Sequence, residues 1–490
     1  MTTASLLLAQ IVFAASGVLT ADFGKEVSPI RPELHSSGFG PTICSQTEQD
    51  LADVKAMGFA YARTHDWALI NPNQRCCDWH HMFPLTHLDA KDPKNYVFGP
   101  TDYLLKRTRE ETGLKVFYRL GTSIEHSGKK IHFNSLIPDD FDKVAEVFAA
   151  TVRHYNRGWA DGHNWDIKYW EIWNEPDGNN NMWCLPEGDD DPWEPNTPEE
   201  KAKCERRVSA FVTFFAKCVK RLKDEFGDSI KVGGPAMCTW SRNPKHDTVK
   251  YFQRIIRACQ DLGVAPDFLS WHGYVNNPMT LVDNAEDARR VCEEMGLKNC
   301  ELIVNEWHYF GREYTWQDMQ RSSDPAAKAR VYEGPNSHFG TKASAFTLTQ
   351  LIKFQLSKLD QAYFYGCRHT GSWGFKDEMQ NKFKLFYALK LFGDIVRDYQ
   401  TICEFSSAGT VTTMAVKNAA GRKGLLVADY GGKDQTITID VKGVAADAKV
   451  NCVVLDHTHD LTPFEATFAE GKLILTKPDT NSASFFVTFD

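Results

Sequence analysis

The sequence predicts an α/β protein: a (β/α)8 barrel, or TIM barrel, followed by a small C-terminal antiparallel β-sandwich domain. Short β-rich runs alternate with longer helical runs through most of the chain, the pattern of a parallel barrel ringed by helices. From about residue 400 this alternation gives way to strands separated by Gly, Asn and Asp turns. At 490 residues and 42% hydrophobic composition, the chain can bury one large core and a smaller one.

Eight runs have the length and composition of barrel strands: 33–39, 59–67, 114–121, 167–174, 230–235, 268–274, 301–307 and 361–368. Between them, runs such as "CERRVSAFVTFFAKCVKRLKDEFG" and "VKYFQRIIRACQDLG" carry apolar residues three and four apart and close on Gly, which readily ends a helix. We therefore predict a barrel over residues 21–398 and a β-sandwich domain over 399–490.

Residues 1–20 are predicted to be a signal peptide. An apolar run at 6–15 is followed by the small residues Ser16 and Gly17, and Asp22 is the first charge. No basic residue precedes the run, which is unusual for such a segment. The expected location is secreted or periplasmic.

Charge and composition favour a small or neutral partner. The net charge of −8 and the absence of a long basic run argue against nucleic acid and against an anionic membrane surface. The 13 tryptophans include side chains suited to stacking on sugar rings, although most are expected to pack in the core. The oligomeric state is left open.

Two acidic residues close predicted barrel strands. The fourth strand, in "WEIWNEPD" (170–177), ends at Asn174 and Glu175, and the seventh, in "ELIVNEWHYF", ends at Asn305 and Glu306. Reactive groups of such barrels project from the carboxyl ends of the strands, so the two acids should meet at one mouth. A pair of carboxylates is what glycoside hydrolysis requires. Glu171, deeper on the fourth strand, is interpreted as structural and paired with an interior Arg or a polar neighbour.

These motifs resemble a known clan. "WEIWNEPD" with a second Glu closing strand seven resembles clan A, the retaining glycosidases built on eightfold barrels. The stretches "VSPIRPELHSSGFGP", "YARTHDW" and "NEPD", with the trailing β domain, resemble glycoside hydrolase family 39, which includes β-xylosidases and α-iduronidases. The resemblance implies Glu175 as acid/base, Glu306 as nucleophile, Asn174 near the sugar 2-hydroxyl and Tyr274 beside the nucleophile.

The chemistry sets geometric expectations. A retaining mechanism requires carboxyl groups about 5 to 5.5 Å apart, whereas an inverting one leaves about 6.5 to 9.5 Å for a water. Glu175 must keep its proton and is expected in the drier setting, while Glu306 must stay ionised. Neither a cofactor nor a metal is expected in this site.

Other strand ends supply further candidates for substrate binding. Arg63 needs an anion, which is either the nucleophile or a structural partner inside the barrel. His65 and His272 are either functional or satisfied core histidines, and Trp373 is either a sugar platform or packing. The remaining polar and aromatic candidates around the mouth are Asp66, Trp79, Arg119, Lys129, Lys130, Trp183, Trp193, Arg368 and His369.

Two loops carry clustered metal-ligand side chains, and each is interpreted as a loop without an ion. "RCCDWHHMFPLTH" has adjacent Cys76 and Cys77, which rarely converge on one zinc ion. "EGDDDPWEP" lacks the spacing and central Gly of a calcium-binding EF loop.

The predicted function is a retaining, β-xylosidase-like glycoside hydrolase acting on a terminal sugar of a plant- or matrix-type saccharide. Long insertions after strands two, four and seven favour a pocket that takes chain ends. A uronide, arabinoside or galactoside substrate stays open, as do a catalytically silent carbohydrate-binding barrel and a metal-dependent hydrolase.

Overall fold

The structure is a computed structural model and describes residues 18–38, 47–65, 67–68, 75–122, 135–178, 182–185, 195–320, 324–366, 373–377 and 379–490. The first strand, β1 (Leu19–Pro29), joins the β domain described below. The barrel follows, and its strands are β2 (Ser36–Ser37), β3 (Tyr61–Arg63), β6 (Lys115–Leu120), β7 (Tyr169–Ile172), β8 (Lys231–Met237), β9 (Phe268–Val275), β10 (Glu301–Tyr309) and β11 (Gln361–Phe364).

These eight strands form a closed parallel barrel in the order β10-β11-β2-β3-β6-β7-β8-β9. Each falls within or beside one of the eight predicted runs, so the predicted fold class is confirmed. A short antiparallel pair, β4 (Trp67–Ala68) and β5 (Arg75–Cys76), follows β3. Among the described residues, no helix has the length and apolar character needed to cross a bilayer.

Helices surround the barrel: α1 (Glu48–Ala56), α2 (Trp79–Met82), α3 (Gly99–Thr112), α4 (Phe141–Arg157), α5 (Pro198–Phe226), α6 (Thr248–Asp261), α7 (Thr280–Glu294), α8 (Trp316–Gln320), α9 (Pro325–Tyr332), α10 (Thr341–Gln355) and α11 (Lys384–Asp398). Capping boxes start two of them, with Thr47 and Asp50 at α1 and Thr197 and Glu200 at α5. The aliphatic and aromatic face of these helices packs on the outside of the strands in one large core.

The barrel interior is built in layers, because alternate residues of a strand face the same side. The lowest layer is a cluster of bulky side chains: Tyr61, Phe117, Tyr169, Phe268, Ile303 and Tyr363. Two residues further along four of the strands lies a polar layer of Arg63, Glu171, Ser270 and Asn305, all fully buried. The layer above it, at the carboxyl ends of the strands, holds Glu175, His272 and Glu306.

The β domain is one long sheet that folds around a separate core. Its remaining strands are β12 (Thr401–Phe405), β13 (Ser407–Ala408), β14 (Val411–Lys417), β15 (Lys423–Asp429), β16 (Thr436–Lys442), β17 (Val450–Leu455), β18 (Asp460–Phe464), β19 (Thr467–Ala469), β20 (Lys472–Thr476) and β21 (Ala483–Phe489). The order is β18-β17-β21-β15-β14-β12-β1-β16-β20-β19, with β13 on β14.

The expected boundaries at residues 20 and 21 differ from the structure. Strand β1 pairs antiparallel with β12 and parallel with β16, so residues 19–29 belong to the β domain and the barrel begins after them. Leu19 and Ala21 are buried in the core of that domain. The alternating apolar residues at the start of β1 therefore pack in the β domain. The expected signal peptide, 1–20, overlaps β1 by two residues. Residues 1–17 lie outside the described part of the chain.

Candidate active site

Glu175 is held at the mouth by an unusual backbone path. After β7 the chain adopts left-handed conformations at Trp173 (φ 73°) and Glu175 (φ 45°), which are uncommon for non-glycine residues. The Trp173 N–H donates to the Leu120 carbonyl at 2.7 Å, and the Glu175 N–H donates to the Ala236 carbonyl at 2.9 Å. The neighbouring strands β6 and β8 thus fix the loop that carries Glu175.

Glu306 reaches the same place through a β-bulge in β10. The pairing with β9 shifts register between Val304 and Glu306, which leaves Asn305 as the extra residue. As a result two consecutive side chains contact the barrel interior: the Asn305 amide donates to Glu171 at 2.6 Å, and Glu306 accepts from Arg63. The bulge therefore lets β10 contribute Asn305 to the buried polar layer and Glu306 to the mouth of the barrel.

The two carboxylates are close together, with His272 in contact with both. One oxygen of Glu175 and one of Glu306 lie within 4.8 Å of each other. His272 Nδ1 is 2.7 Å from Glu175 Oε1, and its Nε2 is 3.4 Å from Glu306 Oε1. His272, predicted as either functional or structural, thus lies between the two acids and orients Glu175.

Glu306 is surrounded by hydrogen-bond donors. Arg63 Nη1 lies 2.9 Å and His65 Nε2 2.8 Å from Oε1, and the Tyr274 hydroxyl donates to Oε2 at 2.7 Å. Burial by itself would raise the pKa of this carboxyl. The charges of His272 and His65, the hydrogen bond from His65 and the charge of Arg63 outweigh burial and hold the pKa of Glu306 well below its ordinary value.

Burial differs between the two acids in the direction opposite to the one expected. The Glu175 side chain is 12% exposed and that of Glu306 is 5% exposed, so Glu306 is the drier of the two. The expectation of a drier Glu175 is wrong because the bulge sets Glu306 deeper, against Arg63. What distinguishes the pair is its partners: Arg63, His65 and the Tyr274 hydroxyl contact Glu306, whereas the partners of Glu175 include His272 and the Cys238 thiol.

Arg63 connects the mouth to the polar layer beneath it. Its Nε donates to Glu171 Oε2 at 2.7 Å, and Nη2 donates to Asn174 Oδ1 at 2.7 Å. Both readings made from the sequence are therefore right, since Arg63 contacts the candidate nucleophile and also forms an interior ion pair. The predicted interior partner of Glu171, an Arg or a polar neighbour, is confirmed in both forms, since Arg63, Ser270 and Asn305 all donate to it.

Asn174 presents a donor toward the mouth. Because Arg63 donates to Oδ1, the amide orientation is set and Nδ2 is the free end of the side chain. Nδ2 is buried and has no hydrogen-bond partner within the described protein. A buried donor of this kind is costly unless it is satisfied, and a substrate hydroxyl would satisfy it. This agrees with the role near a sugar 2-hydroxyl that the family resemblance implies.

An aromatic wall stands beside Glu306. It consists of Tyr274, Trp316, Tyr365 and Trp373, whose ring centroids are 5.1 to 6.1 Å apart in neighbouring pairs. Tyr274 and Trp373 were predicted, and Trp373 is partly buried against the others. Trp316 and Tyr365 were missed because they belong to a short helix and a strand end without a motif. Trp316 is 44% exposed, which leaves its ring available to a ligand.

Several sequence candidates do not form part of this cluster. Arg119 lies in β6 as predicted, with Nη2 3.9 Å from Asp78. Trp79 and Trp183 are buried in the core and do not wall the mouth, contrary to expectation. Asp66, Lys129, Lys130, the acidic loop with Trp193, Arg368 and His369 lie outside the described residues.

Replacing His65 with Ala is expected to raise the pKa of Glu306, because the charge of His65 and its hydrogen bond to the carboxylate both lower that pKa and both are lost. The nucleophile would then be protonated at a higher pH, so the acid limb of kcat/KM would move upward. A profile from about pH 3 to about pH 8 with an aryl glycoside measures this. His87→Ala, at an exposed histidine, is the control. An unchanged acid limb in His65→Ala would contradict the assignment.

The fold and the position of the two acids define a class: (β/α)8 barrels with an appended β domain and a carboxylate pair at the ends of strands four and seven. No protein-family model matches the chain, and no curated protein matches it in sequence. Solved structures share its fold over nearly the whole length, which confirms the resemblance at the level of the fold.

Three of these structures illustrate the likeness. A glucosidase from Croceicoccus marinus is 17% identical, covers 96% of this chain and 98% of its own, and has a TM-score of 0.69. A monomeric beta-xylosidase from Caulobacter crescentus is 15% identical over 96% and 99% of the two chains, with a TM-score of 0.63. A GH39 enzyme from Xanthomonas axonopodis pv. citri is 15% identical over 96% and 97%, with a TM-score of 0.63.

Proposed function

We propose that this protein is a retaining O-glycoside hydrolase that releases a terminal sugar by double displacement. The observation that carries the proposal is the approach of the Glu175 and Glu306 carboxylates to within 4.8 Å. An oxygen–oxygen distance below 4.8 Å favours the short separation of retaining enzymes, about 5 to 5.5 Å, over the about 6.5 to 9.5 Å of inverting ones. The glycosidases among the solved structures of the same fold add support.

Each acid has a role that suits its surroundings. Glu306, ionised and fixed by Arg63, His65 and Tyr274, attacks the anomeric carbon as the bond to the leaving oxygen breaks. Glu175 gives its proton to that oxygen. In the second step Glu175 takes a proton from water, the oxygen of that water attacks the anomeric carbon, and the bond to Glu306 breaks.

The substrate we propose is a neutral sugar such as a β-xyloside. Arg63 is already engaged by Glu171, Asn174 and Glu306, so its guanidinium is not available to a sugar carboxylate. The solved structures of the same fold include a beta-xylosidase, a glucosidase and an arabinofuranosidase, and these names describe enzymes for neutral sugars.

A panel of aryl xylosides, arabinosides, galactosides, glucosides and uronides tests the substrate class. The released sugar is followed by NMR, so that its first-formed anomer is seen before mutarotation. Retention with a neutral sugar is expected, whereas inversion, or turnover of uronides alone, would contradict the proposal.

Products from a defined oligosaccharide test the expected attack on chain ends, and a ladder of internal fragments would rule it out.

Replacing Trp316 with Ala is expected to raise KM by about 2- to 12-fold with little change in kcat, because an exposed ring that stacks on a sugar contributes about 0.5 to 1.5 kcal/mol of binding. Steady-state kinetics with an oligosaccharide measures it. Tyr103→Ala removes a similarly exposed aromatic side chain from the outer helix α3 and should leave KM unchanged. Equal KM values in both variants would exclude Trp316 from the binding site.

Export from the cell is part of the proposal and rests on the apolar segment within residues 1–20. Because Leu19 is buried in β1, a cleavage site that leaves the β domain intact would precede it. N-terminal sequencing of the protein recovered outside the cell tests this.

A further inference from the structure

A second cluster of ligand-type side chains lies in the helical layer. Asp102 is in the first turn of α3, His154 is near the end of α4, and His163 is in the loop that follows α4. His154 Nε2 is 3.0 Å and His163 Nε2 is 3.7 Å from Asp102 Oδ1, and one ligand atom from each of the three residues lies within 4.8 Å of the others. We propose that these residues bind a divalent transition-metal ion of the Zn²⁺ type.

The hydrogen bonding of His154 presents a lone pair to the cluster. Its Nδ1 is 2.9 Å from the Trp159 carbonyl oxygen, which can only accept, so Nδ1 carries the hydrogen. The other ring nitrogen, Nε2, therefore faces Asp102 Oδ1 at 3.0 Å, where a cation can be bound by both atoms. An imidazole fixed through Nδ1 by a backbone carbonyl is the usual support of a metal-binding histidine.

The distances from Asp102 to the two histidines suit a tetrahedral ion. With bonds of about 2.0 to 2.1 Å, neighbouring ligand atoms of tetrahedral Zn²⁺ are about 3.3 Å apart. The two separations from Asp102 Oδ1, at 3.0 and 3.7 Å, bracket this value. The Asp102 and His163 side chains are 26% and 28% exposed, so an ion can enter and a water can complete the coordination.

The cluster is also held in place by its surroundings. Phe98 stacks on His154 with ring centroids 3.7 Å apart, and Trp165 stacks on His163 at 3.9 Å. Gly162 permits the tight return of the loop, since a Cβ there would meet the His154 carbonyl oxygen at 2.2 Å. His163 Nε2 is nevertheless buried without a hydrogen-bond partner among the described residues. A metal ion would satisfy it.

The role expected of the ion is structural. It would tie α3, α4 and the loop after α4 together, and it involves none of the residues proposed to act on the substrate. The inference is therefore independent of the proposed function. One further group of described residues, Glu175, His272 and Glu306, has similar spacing, so the experiment must separate the two sites.

The test is calorimetric titration of Zn²⁺ into the full-length, chelator-treated protein. We expect one Zn²⁺ per chain, at least about tenfold weaker binding in His163→Phe and in Asp102→Asn, and unchanged binding in Glu306→Gln. His163→Phe keeps a ring against Trp165, and Asp102→Asn keeps the side-chain shape. Each removes one proposed ligand, so the second variant still tests the site if the first does not fold. His459→Ala, which removes another histidine paired with an aspartate, is the matched control.

Two further readouts do not involve turnover. Co²⁺ in place of Zn²⁺ should give the strong visible absorption of a tetrahedral site, and it should be lost in His163→Phe. Zn²⁺ in excess should raise Tm by about 2 °C or more in the unmodified protein and not in His163→Phe. Absence of binding, equal binding in His163→Phe, or loss of binding in Glu306→Gln would overturn the proposal.

Discussion

Replacing Glu306 with Gln is expected to lower kcat by about 10⁴- to 10⁶-fold, because an amide cannot form the glycosyl intermediate. Hydrolysis of an aryl glycoside under single-turnover conditions measures the loss. The fold should persist, since the Gln carbonyl oxygen can still accept from Arg63 and the amide nitrogen can donate to the Tyr274 hydroxyl oxygen, and circular dichroism verifies this. Glu313→Gln, at a partly exposed glutamate paired with Lys342, is the control that should keep full activity.

Chemical rescue by azide distinguishes the nucleophile from the acid/base. In Glu306→Gly, azide can enter the vacated space and attack the anomeric carbon, giving a glycosyl azide of inverted configuration. In Glu175→Gly the intermediate on Glu306 still forms from a good leaving group, and azide gives the retained product. If Glu306→Gly gave the retained azide and Glu175→Gly the inverted one, Glu175 would be the nucleophile and Glu306 the acid/base. Full turnover in Glu306→Gln would contradict the proposed mechanism.

Replacing Arg63 with Met is expected to lower the free energy of unfolding by about 3 to 5 kcal/mol, because it leaves the carboxylates of Glu171 and Glu306 buried without their cation. It should also abolish turnover, as Glu306 loses a donor and Asn174 loses the contact that orients its amide. Chemical denaturation monitored by fluorescence measures the first effect, and glycoside hydrolysis measures the second.

The matched control for this variant is Lys477→Met in the β domain. Lys477 and Asp429 form a comparable buried pair at 2.6 Å, so a similar loss of stability is expected there without loss of turnover at temperatures where the protein stays folded. If Arg63→Met were as stable and as active as the unmodified protein, Arg63 would be required neither for stability nor for turnover.

The eightfold alternation and the acids that close strands four and seven could be predicted because both are local patterns. The bulge at Asn305 and the left-handed turn at Glu175 could not, since each depends on a neighbouring strand. The same limit applies to Trp316 and to the Asp102, His154 and His163 cluster, whose members come together only when α3 packs beside α4. Strand β1 was assigned to the wrong domain for this reason as well, because its partners lie at the other end of the sequence.

Strand β1 has a consequence for how the chain is made. Its partner β12 follows some 380 residues later, with Ala21 opposite Phe405. At a synthesis rate of about 5 to 20 residues per second, β1 leaves the ribosome roughly 20 to 80 s before β12 exists. During that interval its edges are open while the barrel folds behind it. A chain cut at residue 399 would keep this strand without a sheet, so the barrel is expected to be soluble alone only if β1 is removed too.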